Sequence, residues 1–252
     1  TPLVAKIENS PAIENIDGIL EAVDGIMVAR GDLGVETPLE KVPIVQKTII
    51  AKSNAAGKMV ITATHMLKSM VNDFRPTRAE AADVANAILD GTDAVMLSEE
   101  TAVGSYPAIA AATLSRIARE TELSALFGSV VERFRSYPPQ TDREAFGLSV
   151  CGLSDNINAS GIVTHTKTGY TARLISRYRP KQAVTAITPS DETWRQLAAV
   201  WGVEAVLDPK SAGEDLETEA VVRAALKSGA VKPGDKIVVT DGVSMSVVTA
   251  EG

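Results

Sequence analysis

Short apolar runs alternate with longer amphipathic stretches along the first 120 residues of the chain. Each run is about six residues long, rich in Val and Ile, and apolar nearly throughout. Continuous runs of this kind are typical of strands that are buried on both faces of a parallel sheet. The predicted strands are PLVAKI (2–7), GIMVAR (25–30), MVITAT (59–64) and DAVMLS (93–98).

The stretches between these runs predict helices, because their apolar residues recur near helical spacing. In TRAEAADV, Thr77 precedes the first turn and Glu80 follows three residues later, which predicts a capping box. Gly57 is a candidate C-cap. The predicted helices lie in SPAIENIDGILEAV, PLEKVPIVQKTIIAKSNAAG, TRAEAADVANAILDG and YPAIAAATLSRIARETE.

The ends of the four predicted strands are regularly spaced. Arg30, Thr64 and Ser98 follow one another at intervals of 34 positions, and Lys6 precedes Arg30 by 24. Alternating strands and helices at this spacing predict βα units, as in a barrel or a doubly wound sheet. A complete barrel has eight units. We therefore expect these four to be part of a longer chain, or to be completed by another chain, because unpaired sheet edges favour aggregation.

A second domain is predicted beyond a polar segment with a proline pair, RFRSYPPQTDRE. We place the first domain at 1–132, the linker at 133–142 and a smaller α/β domain at 143–252. The predicted strands of that domain are 161–166, 183–188, 204–207, 236–240 and 247–250.

Composition narrows the class of protein. The 252 residues carry a formal net charge of −7, which argues against a nucleic-acid partner. Cys151 is the only cysteine, so no intrachain disulfide can form and a reducing, cytoplasmic compartment is expected. No apolar run reaches about 18 residues, so no membrane span is predicted.

Polar residues follow or end the predicted strands, at the edge where parallel α/β folds place their ligand sites. Lys6 and Glu8 are two residues apart and point to the same face of a strand. With Asp32, they supply a cation and two carboxylates, which suit Mg²⁺ or Mn²⁺ when water and substrate complete the coordination. Gly31 lets a ligand approach the backbone. The strand-end residues are Lys6, Glu8, Arg30, Asp32, Thr64 and Ser98.

Simpler interpretations of these residues remain open. A Lys–Glu pair at a strand end also occurs as a solvated ion pair, and GDLG also forms ordinary turns. His65 and His165 are not spaced as a metal pair, so both are predicted to be structural, and Cys151 is predicted to be a small buried residue. The sequence contains no nucleophile elbow, Walker loop or dinucleotide fingerprint after a strand.

Several stretches resemble the pyruvate kinase family. They are AKIEN, DGIMVARGDLGVE, GKMVITATHML and RPTRAEAADVANAILDGTDAVMLSEETAVGSYP. The resemblance covers residues 1–122 most strongly and continues through 143–252. It implies the second half of a TIM (β/α)8 barrel followed by a smaller α/β C-terminal domain. It also implies a cytoplasmic, homotetrameric enzyme of glycolysis that transfers a phosphoryl group from phosphoenolpyruvate to ADP, giving pyruvate and ATP.

The resemblance also implies a role for each site residue. Lys6 would stabilise the transferred phosphoryl group and the enolate, and Glu8 and Asp32 would bind Mg²⁺ or Mn²⁺. K⁺ is a further possible cofactor, with its ligands outside this chain.

The substrate carboxylate and the final proton transfer involve other residues in the family. The N–H groups of Gly31 and Asp32 would hold the carboxylate of phosphoenolpyruvate. Thr64 would lie beside the enolate and help to deliver the proton, with Ser98 as a further member of the relay. Glu99 stands where many members of the family have glycine, and it adds a negative charge near the site.

THTKTGYTARL resembles the loop that binds the phosphate of an effector in this family. An ordinary strand-to-helix turn is the alternative. The C-terminal VTDGVSMSVVTAEG is shorter than the family's glycine-rich loop, so a monophosphate, whether sugar phosphate or nucleotide, or no effector is expected rather than a bisphosphate sugar. The implied effector residues are Thr166, Lys167, Thr168, Gly169, Tyr170 and Thr171.

Two other functions remain open at this point. One is a non-catalytic chain that keeps only subunit contacts and effector binding, because half of the expected barrel is missing. The other is a metal-dependent pyruvate or enolate aldolase, whose strands also carry Glu and Asp on a metal. RPTRAE and the second domain favour the kinase.

Overall fold

The computed structural model describes residues 1–212 and 218–251. The chain divides into two compact units, Thr1–Glu132 and Arg133–Gly252. Within the described residues, no helix has both the length and the apolarity that crossing a membrane requires.

Four parallel strands form the sheet of the first unit, in the order β1-β2-β3-β4. Strands that are consecutive in the chain are also neighbours in the sheet, which is the result of successive βα units with no reversal of direction. Lys6 is in register with Met27, and Met27 with Ile61. The strands are β1 Val4–Ile7, β2 Gly25–Ala29, β3 Met59–Ala63 and β4 Ala94–Met96.

Most helices of the first unit lie in the predicted stretches, whereas the helices at Arg30–Glu36 and Glu99–Ala102 lie outside them. The capping box at the start of α5 is confirmed, with Thr77 and Glu80 each binding the other's backbone N–H. Gly91 ends the same helix in the left-handed conformation, with φ of 101°. The helices are α1 Ser10–Glu14, α2 Ile16–Ala22, α3 Arg30–Glu36, α4 Val42–Ala55, α5 Arg78–Asp90, α6 Glu99–Ala102 and α7 Pro107–Leu123, with short 3-10 helices at Leu39–Lys41 and Lys68–Val71.

The first sheet is fully buried on only one of its faces. Ile26, Val28 and Val60 face the core formed with the helices and have no exposed surface. On the opposite face, Met27 and Ile61 are half-buried. In β4, the residues of both faces are half-buried. The prediction of strands buried on both faces is therefore wrong for this sheet, because helices of the unit pack against one side and leave the apolar side chains of the other side partly exposed.

Five strands form the sheet of the second unit within its described residues, in the order β7-β6-β5-β8-β9. All neighbours are parallel except β8 and β9, which form an antiparallel pair. The strands are β5 Gly161–His165, β6 Val184–Thr188, β7 Val203–Leu207, β8 Lys236–Thr240 and β9 Met245–Thr249. The helices are α8 Ala125–Ser136, which begins in the first unit, α9 Asp142–Asn156, α10 Tyr170–Ser176, α11 Asp191–Leu197 and α12 Thr218–Ser228, with a 3-10 helix at Pro209–Ala212.

The core of the second unit surrounds the central strands of its sheet. β6 is buried at all five of its residues and β5 at four of five. Cys151 of α9 packs into this core with no exposed surface, and burial raises the pKa of its thiol to about 12. The prediction that Cys151 is a small buried residue is confirmed.

The predicted linker at 133–142 is partly helical. α8 continues through its first four residues, and α9 begins at its last one. Phe134 is buried, and Arg135 binds Asp155 at 2.5 Å and donates to the carbonyl of Tyr178 at 3.1 Å. Arg135, one of the polar residues on which the prediction of a linker rested, instead anchors the last turn of α8.

Candidate functional site

Lys6, Glu8 and Asp32 form one cluster at the carboxyl ends of β1 and β2. The Nζ atom of Lys6 lies 2.7 Å from Glu8 Oε2 and 3.5 Å from Asp32 Oδ2. The hydrogen bond and the charge attraction from Glu8 raise the pKa of the Lys6 amine, with a smaller contribution from Asp32. The pairing of Lys6 with Glu8, expected from their spacing, is present, and Asp32, which the sequence predicts for the same site, joins them from the first turn of α3, directly after the neighbouring strand β2.

The two carboxylates of this cluster fit a divalent cation that also binds solvent and substrate. One oxygen of Glu8 and one of Asp32 converge on the Nζ atom of Lys6, so both carboxylates face the same part of the site. Their side chains are 39% and 60% exposed, so further ligands can reach them. Mg²⁺ typically takes one or two protein carboxylates and completes its octahedron with water and phosphate oxygens. In the described residues, no group of three or more His, Cys, Asp or Glu is arranged to hold a metal.

Thr64 packs directly against Gly31. The N–H of Gly31 donates to Thr64 Oγ1 at 3.1 Å, so this amide already has an acceptor. A Cβ atom at Gly31 would lie 3.2 Å from Thr64 Cγ2, a close approach that favours glycine at this position. Thr64 and His65 both have left-handed backbones, with φ of 73° and 55°. That conformation is unfavourable for a β-branched residue, so neighbouring groups must hold it.

Arg30 supplies the main support for Thr64. Contrary to the prediction, Arg30 is not the last residue of a strand: β2 ends at Ala29 and Arg30 begins α3. Its side chain turns toward β3, where Nη2 donates to the carbonyl of Thr64 at 2.7 Å. Nη1 binds both carboxylate oxygens of Asp83 in α5, each at 2.7 Å. The sequence does not predict the ion pair between Arg30 and Asp83, because 53 positions separate the two residues.

Ser98 lies away from the Lys6 cluster within the first sheet. It follows β4, and three strand spacings, about 14 Å along the sheet, separate β4 from β1. Its backbone N–H donates to Glu100 Oε2 at 2.8 Å. Glu100 is 1% exposed, and its other oxygen accepts the N–H of Leu67 at 3.1 Å. The sequence does not distinguish Glu100 from its neighbour Glu99, because SEE presents two equivalent acids.

Glu99 is exposed and forms an ion pair with Lys68, which lies in the 3-10 helix after β3. The hydrogen bond and charge attraction of Lys68 lower the pKa of the Glu99 carboxyl. The additional negative charge noted in the sequence is therefore balanced locally.

Glu80 joins the 3-10 helix after β3 to the start of α5. Its carboxylate accepts the backbone N–H groups of Ser69 at 2.6 Å and Thr77 at 2.7 Å, and both hydroxyls as well. Burial would raise the pKa of Glu80, but the hydrogen bonds from Ser69 and Thr77 outweigh it and leave the pKa below its ordinary value. This carboxylate therefore stabilises the fold around the site in its charged form.

In the second unit, the candidate effector loop lies between β5 and α10. Lys167, Thr168 and Tyr170 are exposed, whereas Thr166 and Thr171 are buried. The hydroxyl of Thr166 accepts the N–H of Gly169 at 3.0 Å. The carbonyl of Lys167 accepts the hydroxyl of Thr193 at 2.8 Å. These hydrogen bonds hold the loop in place, and its exposed residues are one cation, Lys167, and two hydroxyl-bearing residues, Thr168 and Tyr170.

The two histidines have different surroundings. His65 is exposed beside Thr64. His165 is half-buried at the end of β5, and its Nε2 lies 2.9 Å from the carbonyl of Ser211. Burial lowers the pKa of His165, and the hydrogen bond to Ser211 opposes this only partly, with Lys167 lowering it further. The contact of His165 with a main-chain carbonyl is that of a structural residue.

Comparisons with known proteins agree with this architecture. A family model described as the pyruvate kinase barrel domain matches residues 1–111, and one described as the pyruvate kinase alpha/beta domain matches residues 144–250. The chain belongs to the pyruvate kinase family.

Individual relatives show how much of the family's length is present. Pyruvate kinase of Clostridium acetobutylicum is 47% identical over 245 residues, which cover 97% of this chain and 52% of the relative. Pyruvate kinase of Geobacillus stearothermophilus is 49% identical over 241 residues, 96% of this chain and 41% of the relative. A crystal structure of a pyruvate kinase from Cryptosporidium parvum superposes with a TM-score of 0.92 at 40% identity, covering 99% of this chain and 51% of that one. The chain therefore spans about half the length of the relatives that it matches.

Proposed function

We propose that this chain is part of a pyruvate kinase, which transfers the phosphoryl group of phosphoenolpyruvate to ADP in glycolysis. The observation that carries the proposal is the contact of Lys6 with both Glu8 and Asp32 at the carboxyl edge of a parallel sheet. Phosphoryl transfer depends on positioning and on neutralising charge, and a lysine beside two carboxylates that fit a metal supplies both.

We propose that the first unit is the second half of a TIM barrel whose remaining strands lie outside this chain. Two observations support this. The strands are in sequential order, as in a barrel. The half-exposed face of the sheet carries apolar side chains such as Met27 and Ile61, which suit the filled interior of a barrel.

In this mechanism Glu8 and Asp32 would hold Mg²⁺ or Mn²⁺, which neutralises charge on the phosphoryl oxygens when it is bound. The ammonium of Lys6 binds the phosphoryl group and then stabilises the enolate that remains. The N–H groups of Gly31 and Asp32 bind the substrate carboxylate, which requires the Gly31 amide to exchange Thr64 Oγ1 for the ligand.

Thr64 and Ser98 complete the proposed reaction by assisting proton delivery to the enolate. Two hydrogen bonds hold Thr64 near the cluster. The N–H of Gly31 donates to the Thr64 hydroxyl, and the guanidinium of Arg30 donates to the Thr64 carbonyl. Ser98 acts from the end of β4, the strand next to β3, and water would bridge the distance between its hydroxyl and the enolate.

The test is turnover of the complete protein in an assay that couples pyruvate formation to lactate dehydrogenase. We expect Lys6→Met to lower kcat by roughly 100-fold or more, because the phosphoryl group and the enolate lose their cation. Lys52→Met is the matched control, since Lys52 forms an exposed ion pair with Asp17 in α2 of the same unit. Equal turnover in Lys6→Met and Lys52→Met would contradict the proposal.

A non-catalytic chain that keeps effector binding is the second candidate. An intact mass equal to these 252 residues, together with absence of turnover, would support it. None of the observations supports the aldolase alternative.

We further propose that Thr166–Thr171 binds the phosphate of a sugar phosphate or nucleotide effector. The exposed side chains of Lys167 and Thr168 support this. Titration with a sugar monophosphate should show binding that Lys167→Ala weakens by about tenfold, the loss of one charged contact. Lys181→Ala, at an exposed lysine before β6, should leave the affinity unchanged; equal loss in both variants would contradict the loop assignment.

The family resemblance also motivates proposals of a homotetramer, K⁺ dependence and a cytoplasmic location. Sedimentation analysis of the complete protein tests the tetramer, and turnover with Na⁺ in place of K⁺ tests the monovalent cation.

A further inference from the structure

The loops that follow β3 and β4 each carry a hydroxyl of the proposed site. Thr64 begins the first loop in a left-handed conformation that is continued by His65. Ser98 lies in the second loop, directly before α6. Neither loop belongs to the hydrogen-bonded part of the sheet, since β3 ends at Ala63 and β4 at Met96. The relative placement of the two hydroxyls therefore depends on the contacts of each loop, which include the hydrogen bond from Arg30 to the Thr64 carbonyl and the contacts between the two loops.

A single buried carboxylate connects these loops. Glu100 is 1% exposed; its Oε1 accepts the N–H of Leu67 at 3.1 Å, and its Oε2 accepts the N–H of Ser98 at 2.8 Å. Leu67 is in the β3 loop and has no exposed surface. A buried carboxylate is stable only when hydrogen bonds replace its hydration, and charge-assisted bonds to two backbone amides do so.

The helix that carries Glu100 is itself fixed in place. A Cβ atom at Gly104 would lie 2.4 Å from the carbonyl oxygen of Glu100, so the chain turns back closely on α6. The N–H of Ser105 then donates to the carbonyl of Val71 at 2.8 Å, which ties the segment after α6 to the 3-10 helix after β3. The carboxylate of Glu100 is thus held in a rigid frame and not on a freely moving turn.

We propose that Glu100 is a positioning residue, whose carboxylate sets the placement of the Thr64 loop relative to Ser98 by accepting the amides of Leu67 and Ser98 at once. The catalytic part of this proposal rests on the proposed function; the structural part does not. Glu100 acts through the backbone, and it contacts neither the Lys6 cluster nor a substrate group directly.

The chemistry of the side chain explains why a carboxylate is needed. Both partners are N–H donors, and a carboxylate presents acceptors on both oxygens. Glutamine has the same shape but offers one acceptor and one NH₂ group, so one of the two amides would face a donor. Aspartate keeps both acceptors, but its side chain is shorter by one methylene. We therefore expect its carboxylate to bind the N–H groups of Leu67 and Ser98 less closely than glutamate does.

Glu99 provides a matched control within the same helix. It also joins the two loops, through its ion pair with Lys68, but its side chain is 56% exposed. Exposed ion pairs contribute little, because water competes for both charges. Glu99→Gln therefore removes a loop-to-loop contact of similar position while leaving the buried carboxylate intact.

The first measurement is amide hydrogen exchange and amide proton chemical shift in the chain, which needs no turnover. In Glu100→Gln we expect the exchange of the Leu67 and Ser98 amides to accelerate by roughly tenfold or more, and their proton resonances to move upfield. Glu100→Asp should show a smaller change in the same two amides and remains informative if the glutamine variant does not fold. In Glu99→Gln both amides should behave as in the wild type.

The second measurement is steady-state turnover of the complete protein. Misplacement of catalytic groups by about 1 Å can cost on the order of 100-fold in rate, so kcat should fall by roughly 10- to 100-fold in Glu100→Gln. The KM for phosphoenolpyruvate should change less, and Glu100→Asp should recover part of kcat.

The outcomes separate this proposal from the proposed function. Unchanged Leu67 and Ser98 amides in Glu100→Gln would overturn the loop connection, and altered amides with unchanged kcat would overturn the positioning of the reaction. A complete wild-type protein without turnover would contradict the proposed function, and the amide measurement would still decide whether Glu100 places the two loops.

Discussion

The sheets of the two units differ in how completely they are buried, although their strands are similar in sequence. VTAIT of β6 consists of Val, Thr, Ala and Ile, and MVITA of β3 contains the same four residue types and one Met. β6 is buried at every residue, whereas β3 is half-buried at Met59 and Ile61. An apolar run therefore shows that a strand can be buried on both faces. Whether each face is buried depends on helices and strands elsewhere in the chain that pack against it.

The largest expected effect tests this difference in burial directly. Ile187→Ala in β6 should destabilise the second unit by about 3–4 kcal/mol, because it leaves a cavity in a core that has no access to water. Ile61→Ala in β3 removes the same atoms from a half-exposed face and should cost about 1–2 kcal/mol.

Urea unfolding followed by tryptophan fluorescence reports on the second unit, because Trp194 and Trp201 both lie there. Hydrogen exchange of the β3 amides reports on the first unit. Equal losses in Ile61→Ala and Ile187→Ala would mean that the half-exposed face is covered in solution. In the complete protein we expect that equality, because the proposed remaining strands would enclose Ile61.

A second expected effect, of about 2 kcal/mol, concerns the first unit in acid. The pKa of Glu80 is below its ordinary value, so the charged carboxylate stabilises the fold above about pH 4.5, and this contribution is lost as the pH falls through the lowered pKa. Glu80→Gln should show the loss already at neutral pH, with a flatter dependence of stability on acid. Glu40→Gln, at an exposed acid of the same unit, should leave the acid dependence unchanged; an identical change in both would exclude the role of Glu80.

The smallest expected effect lies in the second unit and at higher pH. The pKa of His165 is lowered in the fold, so the unfolded chain takes up the proton first, and stability falls as the pH drops through about 6.5. The slope is at most about 1.4 kcal/mol per pH unit for a single proton. Urea midpoints from tryptophan fluorescence between about pH 7.5 and 5.5 should decline in the wild type and remain nearly level in His165→Gln. A decline of the same size in His165→Gln would assign the slope to another group.

The fold could be predicted largely from local pattern. Apolar runs locate the strands to within a few residues, and the Thr77–Glu80 box marks the start of α5 correctly. The errors arise where a charged side chain turns inward. Arg30 looks like the polar end of a strand, and Arg135 like part of a solvated linker, but each pairs with an acid far along the chain.

The site could be predicted only where its residues share a strand or follow adjacent strands. Lys6, Glu8 and Asp32 meet as their strand positions indicate. The positions of strand ends do not predict the roles of Arg30 and Glu100, because those roles depend on which distant backbone groups their side chains reach. Glu100 is buried and Glu99 is exposed. No local sequence pattern predicts which of two adjacent acids will be buried, so the sequence could not single out Glu100.

The left-handed backbone at His65 has a consequence for engineering. Histidine, aspartate and asparagine are the residues other than glycine that most often adopt this conformation, and asparagine is further favoured because its short side chain forms local hydrogen bonds. His65→Asn is therefore an obvious substitution for raising thermal tolerance without altering the core. The same residue adjoins Thr64, so relaxing the loop also loosens the hydroxyl that it presents. At position 65, a gain in stability would therefore come with a looser placement of Thr64, whose hydroxyl is proposed to act in the site.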